Sequence, residues 1–438
     1  MPNVNRHPVK RRIIEFFTIA LAFGPYSTQR ESPGIERISM ATLGGESNGQ
    51  SHAPLISANG RYIAYVSDAT NLVVGDDNGA SDIFLYDKQL RKSRRISVSS
   101  VGSQSNGASI NPDLSDSGRY VTFESIASNL VPGDTNDTSD VFVHDIKTHR
   151  TRRVSLSRSG SEGNGPSQNA RISADGRFIS FVSEASNLVP GDRNECADIF
   201  VRNLKTGVIQ RLSIASGGTE SNGYSFNPAI SANGRFVAFV STGNNLVTQD
   251  GNEAPDVFVH DRKTSTTRRI SVSSEGREGN GTISLKPVIS NNGRYVAFES
   301  DADNLVAADG NGHIDVFVYD MKTRVQRRVS VDDEGKEANN FSDFPSLSST
   351  GRYVIFTSYA SNLVAGDANN ASDVFIHDLQ TGTTQRVSVT PGGEESNGDS
   401  FNPHISANAR HAVFDSLANN LIPADNNGAF DIFTIRLR

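Results

Sequence analysis

Residues 231–241 read Ser-Ala-Asn-Gly-Arg-Phe-Val-Ala-Phe-Val-Ser, and this stretch decides the fold. Ser-Ala-Asn-Gly is a tight-turn signal in which Gly supplies a positive φ. The run after it is almost continuously apolar, so both faces of the strand it predicts must be buried. Working outward, residues 227–231 predict a strand A before the turn and 235–241 a strand B after it. Residues 256–260 predict strand C, again apolar, and 267–272 strand D, with the polar turn Asp261-Arg262-Lys263-Thr264 between them. A four-stranded sheet that is apolar on both faces needs a like sheet on either side.

The rest of the chain supplies those sheets. The Gly-Arg pair recurs at Gly60, Gly118, Gly176, Gly234, Gly293 and Gly351, with a degraded copy at Ala409-Arg410-His411. The intervals are 58, 58, 58, 59, 58 and 58 residues, the signature of a repeat architecture. Seven units fill residues 35–438 and predict an all-β fold, a seven-bladed β-propeller of four-stranded antiparallel blades. The last unit supplies A (403–406), B (411–414) and C (431–434) but no D, while residues 35–39 form an orphan D. Joining the two completes the ring and hides a strand edge. One copy of the chain then suffices, and a monomer is expected.

Ser173-Ala174-Asp175-Gly176-Arg177, feeding an apolar strand and then Asp198-Ile199-Phe200-Val201, resembles the TolB-type (WD40-like) propeller repeat. The likeness covers all seven units. It implies architecture more than activity, because the fold hosts many functions. TolB proteins carry a further domain ahead of the propeller, which residues 1–34 are too short to supply.

Composition narrows the function classes. Among 438 residues, 42 Lys and Arg against 49 Asp and Glu give a net charge of −7, which argues against a nucleic-acid binder. The single cysteine, Cys196, excludes an internal disulfide framework, and no apolar run is long enough to span a membrane. Residues 1–34 differ from the repeats. A basic cluster (Arg6, Lys10, Arg11, Arg12), a short apolar stretch and an Ala-x-Ala end at Ala22 predict a cleaved signal peptide, hence a periplasmic or secreted protein, although Glu15 interrupts the apolar run.

Two long loops, D–A and B–C, emerge on one face of each blade. The B–C loops carry Asp-x-Asn-x-x-x-Asp, a spacing of oxygen ligands that suits calcium. The sets are Asp76, Asn78 and Asp82; Asp134, Asn136 and Asp140; Asp192, Asn194 and Asp198; and Asp250, Asn252 and Asp256. They continue with Asp309, Asn311 and Asp315; Asp367, Asn369 and Asp373; and Asp425, Asn427 and Asp431. The same residues could instead form an Asx-turn network that folds each loop on itself.

Other side chains are read more plainly. His144, His260 and His377, beside the C–D turn, are expected to face solvent. The pairs Arg94-Arg95, Arg152-Arg153, Arg268-Arg269 and Arg327-Arg328 are expected to shield exposed blade edges. No strand-to-helix Gly-x-Ser-x-Gly nucleophile elbow, no His-Glu-x-x-His and no phosphate-binding loop preceding a helix is found, so no catalytic residue is assigned. The copies disagree at one strand-A position, which runs Leu55, Asp113, Arg171, Ala229, Val288, Ser346 and His404. Alternation along the strand turns this set toward the central channel. Asp113, Arg171 and His404 are therefore candidate ligand contacts, although Asp113 and Arg171 could simply pair. The function expected is a non-catalytic scaffold that engages a protein or glycan through the D–A/B–C face, with calcium as the candidate stabilising ion. An enzyme using the channel and a calcium-dependent lectin are the alternatives.

Overall fold

The computed structural model describes residues 34–437, and the proposed signal peptide lies outside them. These residues form seven four-stranded antiparallel sheets. Blades 1 to 6 comprise residues 51–95, 109–153, 167–211, 225–269, 284–328 and 342–386. Blade 7 combines residues 400–436 with the N-terminal strand Ile35–Arg37, which pairs antiparallel to Asp431–Arg436 in the register Ile35↔Ile435 and Arg37↔Phe433. The orphan strand thus closes the ring as expected.

Packing follows from the two apolar faces of strands B and C. Phe239 and Phe258 lie opposite each other across the B–C ladder with ring centroids 5.9 Å apart. This pair packs on Val182, Ile199 and Val201 of blade 3. The reverse face of blade 4, Ala238, Val240, Val257 and Val259, receives Phe298 and Phe317 of blade 5. Large rings on one face and small aliphatics on the other interlock each blade with the next. Seven hydrophobic clusters, one per blade interface, replace a single core.

The turn that identified the repeat is a second inter-blade joint. Gly234 has φ +69°, and a Cβ there would run into the Phe178 ring of the preceding blade. Arg235 lies over the Phe236 ring at 4.6 Å and makes a bidentate pair with Asp261 at 2.9 and 2.6 Å. That pairing explains why Arg follows Gly in the repeat.

Strand A departs from simple alternation. It begins two residues earlier than expected, at Ser225 in blade 4, and carries a register shift between Phe226 and Ala229. At each shift one residue is left-handed: Ala53, Asn111, Asn169, Asn227, Lys286, Phe344 and Asn402, with φ between 47° and 53°. The bulge turns consecutive residues toward the channel.

Candidate functional site

The innermost strands surround a central cavity of about 480 Å³. All seven members of the variable set, Leu55 to His404, line it. Asp113 Oδ2 accepts the Ile172 N–H of the next blade at 2.7 Å, and His404 Nδ1 accepts that of Ile56 at 3.3 Å. These side chains staple neighbouring blades. Burial, aided by the charge of Arg171, pushes the His404 pKa down to about 4, and burial raises that of Asp113. Among the described residues Arg171 donates only to the carbonyl of Ala170, and it forms no ion pair with Asp113, so the simple pairing does not occur. Of the three, Arg171 has donors to spare.

Three buried acids on strand B were not singled out from the sequence. Glu124 accepts from Asn111 Nδ2 (2.8 Å) and Asn169 N–H (2.7 Å), Glu299 from Phe344 N–H (3.2 Å), and Asp415 from Asn402 Nδ2 and Ala53 N–H (both 2.9 Å). Each holds the left-handed residue of the following blade. Burial pushes Asp415 up to about 7. The signal was legible: an acid stands where sister strands have Val66, Val182 or Val240.

The channel is narrowed at its A–B end. Backbone bonds link Ala58 to Asp116, Asp116 to Ala174, Ala232 to Asn291 and Asn291 to Ser349. The Asn291 side chain also donates to Asp116, three blades away, at 3.2 Å. The opposite end is rimmed by the residues at positions 50, 52 and 68 of blade 1 and their equivalents, where the 68-type N–H donates to the 50-type carbonyl in every blade. The rim carries Asp68, Glu184, Asp301, Asp343 and Asp399 but neither Lys nor Arg. Across blades 6 and 7 it presents an aromatic strip: Phe341, Tyr359, Phe401 and Phe430, with successive centroids 4.6, 6.1 and 6.0 Å apart.

Around the rim, the D–A and B–C loops lock together. In blade 3, Arg211 Nη1 lies 3.0 Å from Asp192, 3.1 Å from Asp198 and 2.8 Å from Glu220. The same clamp is made by Arg153, Arg269, Arg328 and Arg386, and by Arg37 in blade 7; blade 1 has Gln104 in place of the Glu. The Asn of each loop bonds locally: Asn194 donates to Asp198 and accepts the Cys196 N–H, an Asx turn. Two carboxylate sets, Asp250/Asp256/Glu278 and Asp367/Asp373/Glu395, converge enough to hold a metal ion. In both, a guanidinium already stands among them. The expectation that the paired arginines shield edges fails for the second of each pair. Arg153, Arg269 and Arg328 turn inward because three acids await them, and Arg95 because two do, leaving Arg152, Arg268 and Arg327 exposed.

The histidine expectation also fails. His144, His260 and His377 are buried, and Nδ1 of each lies 2.9 Å from Thr151, Thr267 or Thr384 Oγ1. Each threonine hydroxyl donates to the D–A segment of the previous blade. Burial lowers all three pKa values, that of His144 to about 4.

No family model and no curated protein matches this chain. Solved structures do. An oligogalacturonate lyase in complex with manganese is 11% identical, covers 94% of both chains and has a TM-score of 0.56. The β-propeller domain of the Trilobed protease from Pyrococcus furiosus, which has an open velcro topology, is 13% identical over 88% of this chain and 93% of its own, with a TM-score of 0.55. TolB from Acinetobacter baumannii is 13% identical; the match covers 78% of this chain and 64% of TolB, with a TM-score of 0.42. At these identities the likeness shows the propeller fold alone.

Proposed function

We propose that this chain is a non-catalytic binding scaffold that engages a protein or glycan partner at the channel rim on its D–A/B–C face. One observation carries the proposal. Polar groups repeated in all or nearly all blades are spent on joining loop to loop and blade to blade, whereas the copies diverge at the rim and channel wall. A scaffold is held by its symmetric positions, and a partner is recognised by those that break symmetry. The leader supports export to the periplasm or beyond, and among the described residues no helix is long and apolar enough to cross a membrane.

A metal is the second element of the proposal. Calcium would take the sets around Glu278 and Glu395 only by displacing Arg269 or Arg386. A channel enzyme is the competing function, favoured by the fold shared with a lyase that binds manganese. Against it, the candidate metal clusters among the described residues lie in the loops, and His404 is already occupied by a backbone N–H.

The test is capture of a partner from envelope extract, with and without chelator, by the parent and by a Tyr359→Ala/Phe401→Ala variant. Capture by the parent alone is expected. Equal capture by both would place the partner elsewhere.

A further inference from the structure

The aromatic strip on the rim is neither core nor part of the repeat. Apart from Tyr224 and Phe226 of blade 4, its equivalents in other blades are polar or aliphatic, and Phe341 is 37% exposed. Leu417 (39% exposed) extends the apolar surface on blade 7, and Ile126 (65%) stands at the rim of blade 2, beyond the polar Gln50, His52 and Asp68 of blade 1. Two carboxylates stand beside the strip. Asp399 accepts one bond, from the Ser372 N–H at 2.8 Å. Asp343 accepts none among the described residues. Burial, and then the charges of Asp399 and Asp343, raise the pKa of the Tyr359 hydroxyl, so both acids bear on that ring.

We infer that the rim at blades 6 and 7 docks a protein segment that presents a Lys or Arg side chain flanked by apolar residues, the cationic head lying on the Phe341–Tyr359–Phe401 rings beside Asp343 and Asp399. The inference rests on the binding function proposed above and names the partner's chemistry. Aromatic faces attract cations, more strongly when water is excluded. The rim positions hold five carboxylates and no Lys or Arg, and Lys286, whose charge bears on Asp343, is already paired with Glu299 at 3.4 Å and lies over the Phe344 ring, so the rim's charge complements a basic partner. Asp343 is pushed up to about 7 by burial, with Lys286 and Glu299 as the other charges bearing on it. A cation beside it would restore its ionisation, which a neutral sugar hydroxyl would not. The aliphatic Leu417 also suits a peptide better than a polyhydroxylated ligand, whose hydroxyls would be desolvated against it.

The test uses fluorescence anisotropy with three probes on the full chain: labelled Lys-Leu-Lys-Leu-Lys-Leu, its Glu-for-Lys counterpart, and labelled cellotetraose. The Lys peptide is expected to bind at least about tenfold more tightly than the Glu peptide, and to weaken as salt rises. Asp343→Asn/Asp399→Asn should cost about tenfold in affinity, and Tyr359→Ala a similar factor. Tyr359→Leu, which keeps the volume, serves if the alanine variant melts low. Equal affinity for the two peptides, or rim variants that bind like the parent, would overturn the inference. Binding of cellotetraose alone, lost in Tyr359→Ala, would overturn it while leaving the binding function standing. If no probe binds and partner capture ignores the rim variants, both fail.

Discussion

Arg37, in the N-terminal strand, lies 3.2 Å from the carboxylate of Asp431, 394 residues away in the last strand of blade 7. The same guanidinium lies 3.0 Å from Asp425 and 3.3 Å from Glu46. The ring is therefore closed by an ion cluster as well as by strand pairing.

Replacing Arg37 with Met should be costly, because it strands buried carboxylates without their cation. Breaking one partner of a buried pair costs about 3–5 kcal/mol. Removing residues 35–40 should cost more, since Asp431–Arg436 then loses its ladder partner. Thermal melts of both variants provide the check, and a parent-like melting temperature in the deletion would refute closure by this strand.

Stability should be greatest in mildly acidic solution. Burial pushes Asp192, Asp250, Asp309 and Asp367 up to about 6 from an ordinary 3.8. A carboxyl whose pKa is raised by folding binds more protons in the native state, so stability rises as pH falls from 7 through 6. The opposite holds for Asp261, which Arg235 holds down to about 2. Its contribution is present above 3.8 and lost as pH falls through 2. Urea midpoints measured from pH 3 to 8 should peak between about 4 and 6, and a maximum above 7 would contradict these shifts.

Ala409→Gly should stabilise. Ala409 holds φ +55° at the turn where the six other blades have Gly. Left-handed backbone costs an L-residue about 1–2 kcal/mol, so the substitution should gain about 1 kcal/mol. Gly234→Ala should lose more than that, because its new methyl meets Phe178. Equilibrium unfolding of the two variants tests both signs.

Calcium should stabilise Arg269→Met more than the parent. Removing the guanidinium leaves Asp250, Asp256 and Glu278 converging on the space it filled. A ligand that binds only the native state raises stability by mass action, about 2.7 kcal/mol at a hundredfold excess over Kd. Melts of both proteins in millimolar calcium and in chelator decide it. A larger calcium response in the parent would mean that the ion binds alongside the arginine.

Within the channel, Asp113→Ala should lower stability by about 1–3 kcal/mol, the cost of leaving the buried Ile172 N–H unpaired. Arg171→Ala should melt like the parent, since its guanidinium bonds only its neighbour's carbonyl. If the channel takes part in binding, Arg171→Ala also lowers partner affinity. An effect of Asp113→Ala on affinity with none on stability would reverse these roles.

The sequence by itself determined the blade count, the strand order, the closing strand and the seven channel-facing positions. These rest on period and local turn chemistry, which a repeat writes seven times over. Tertiary structure decided what the polar residues do. Whether Asp250 and Asp256 meet a metal or Arg269 depends on a loop and a strand brought together by the sheet, not on their spacing in the chain. His260 is buried because a D–A segment from the neighbouring blade covers it, a contact with Thr267 and Ile214 that no local pattern encodes. The rim strip joins Phe341 to Phe430 across two blades. Hydrophobic periodicity is a property of neighbours along the chain, whereas charge pairing and ring contact are properties of neighbours in space, and only closure of the ring creates those.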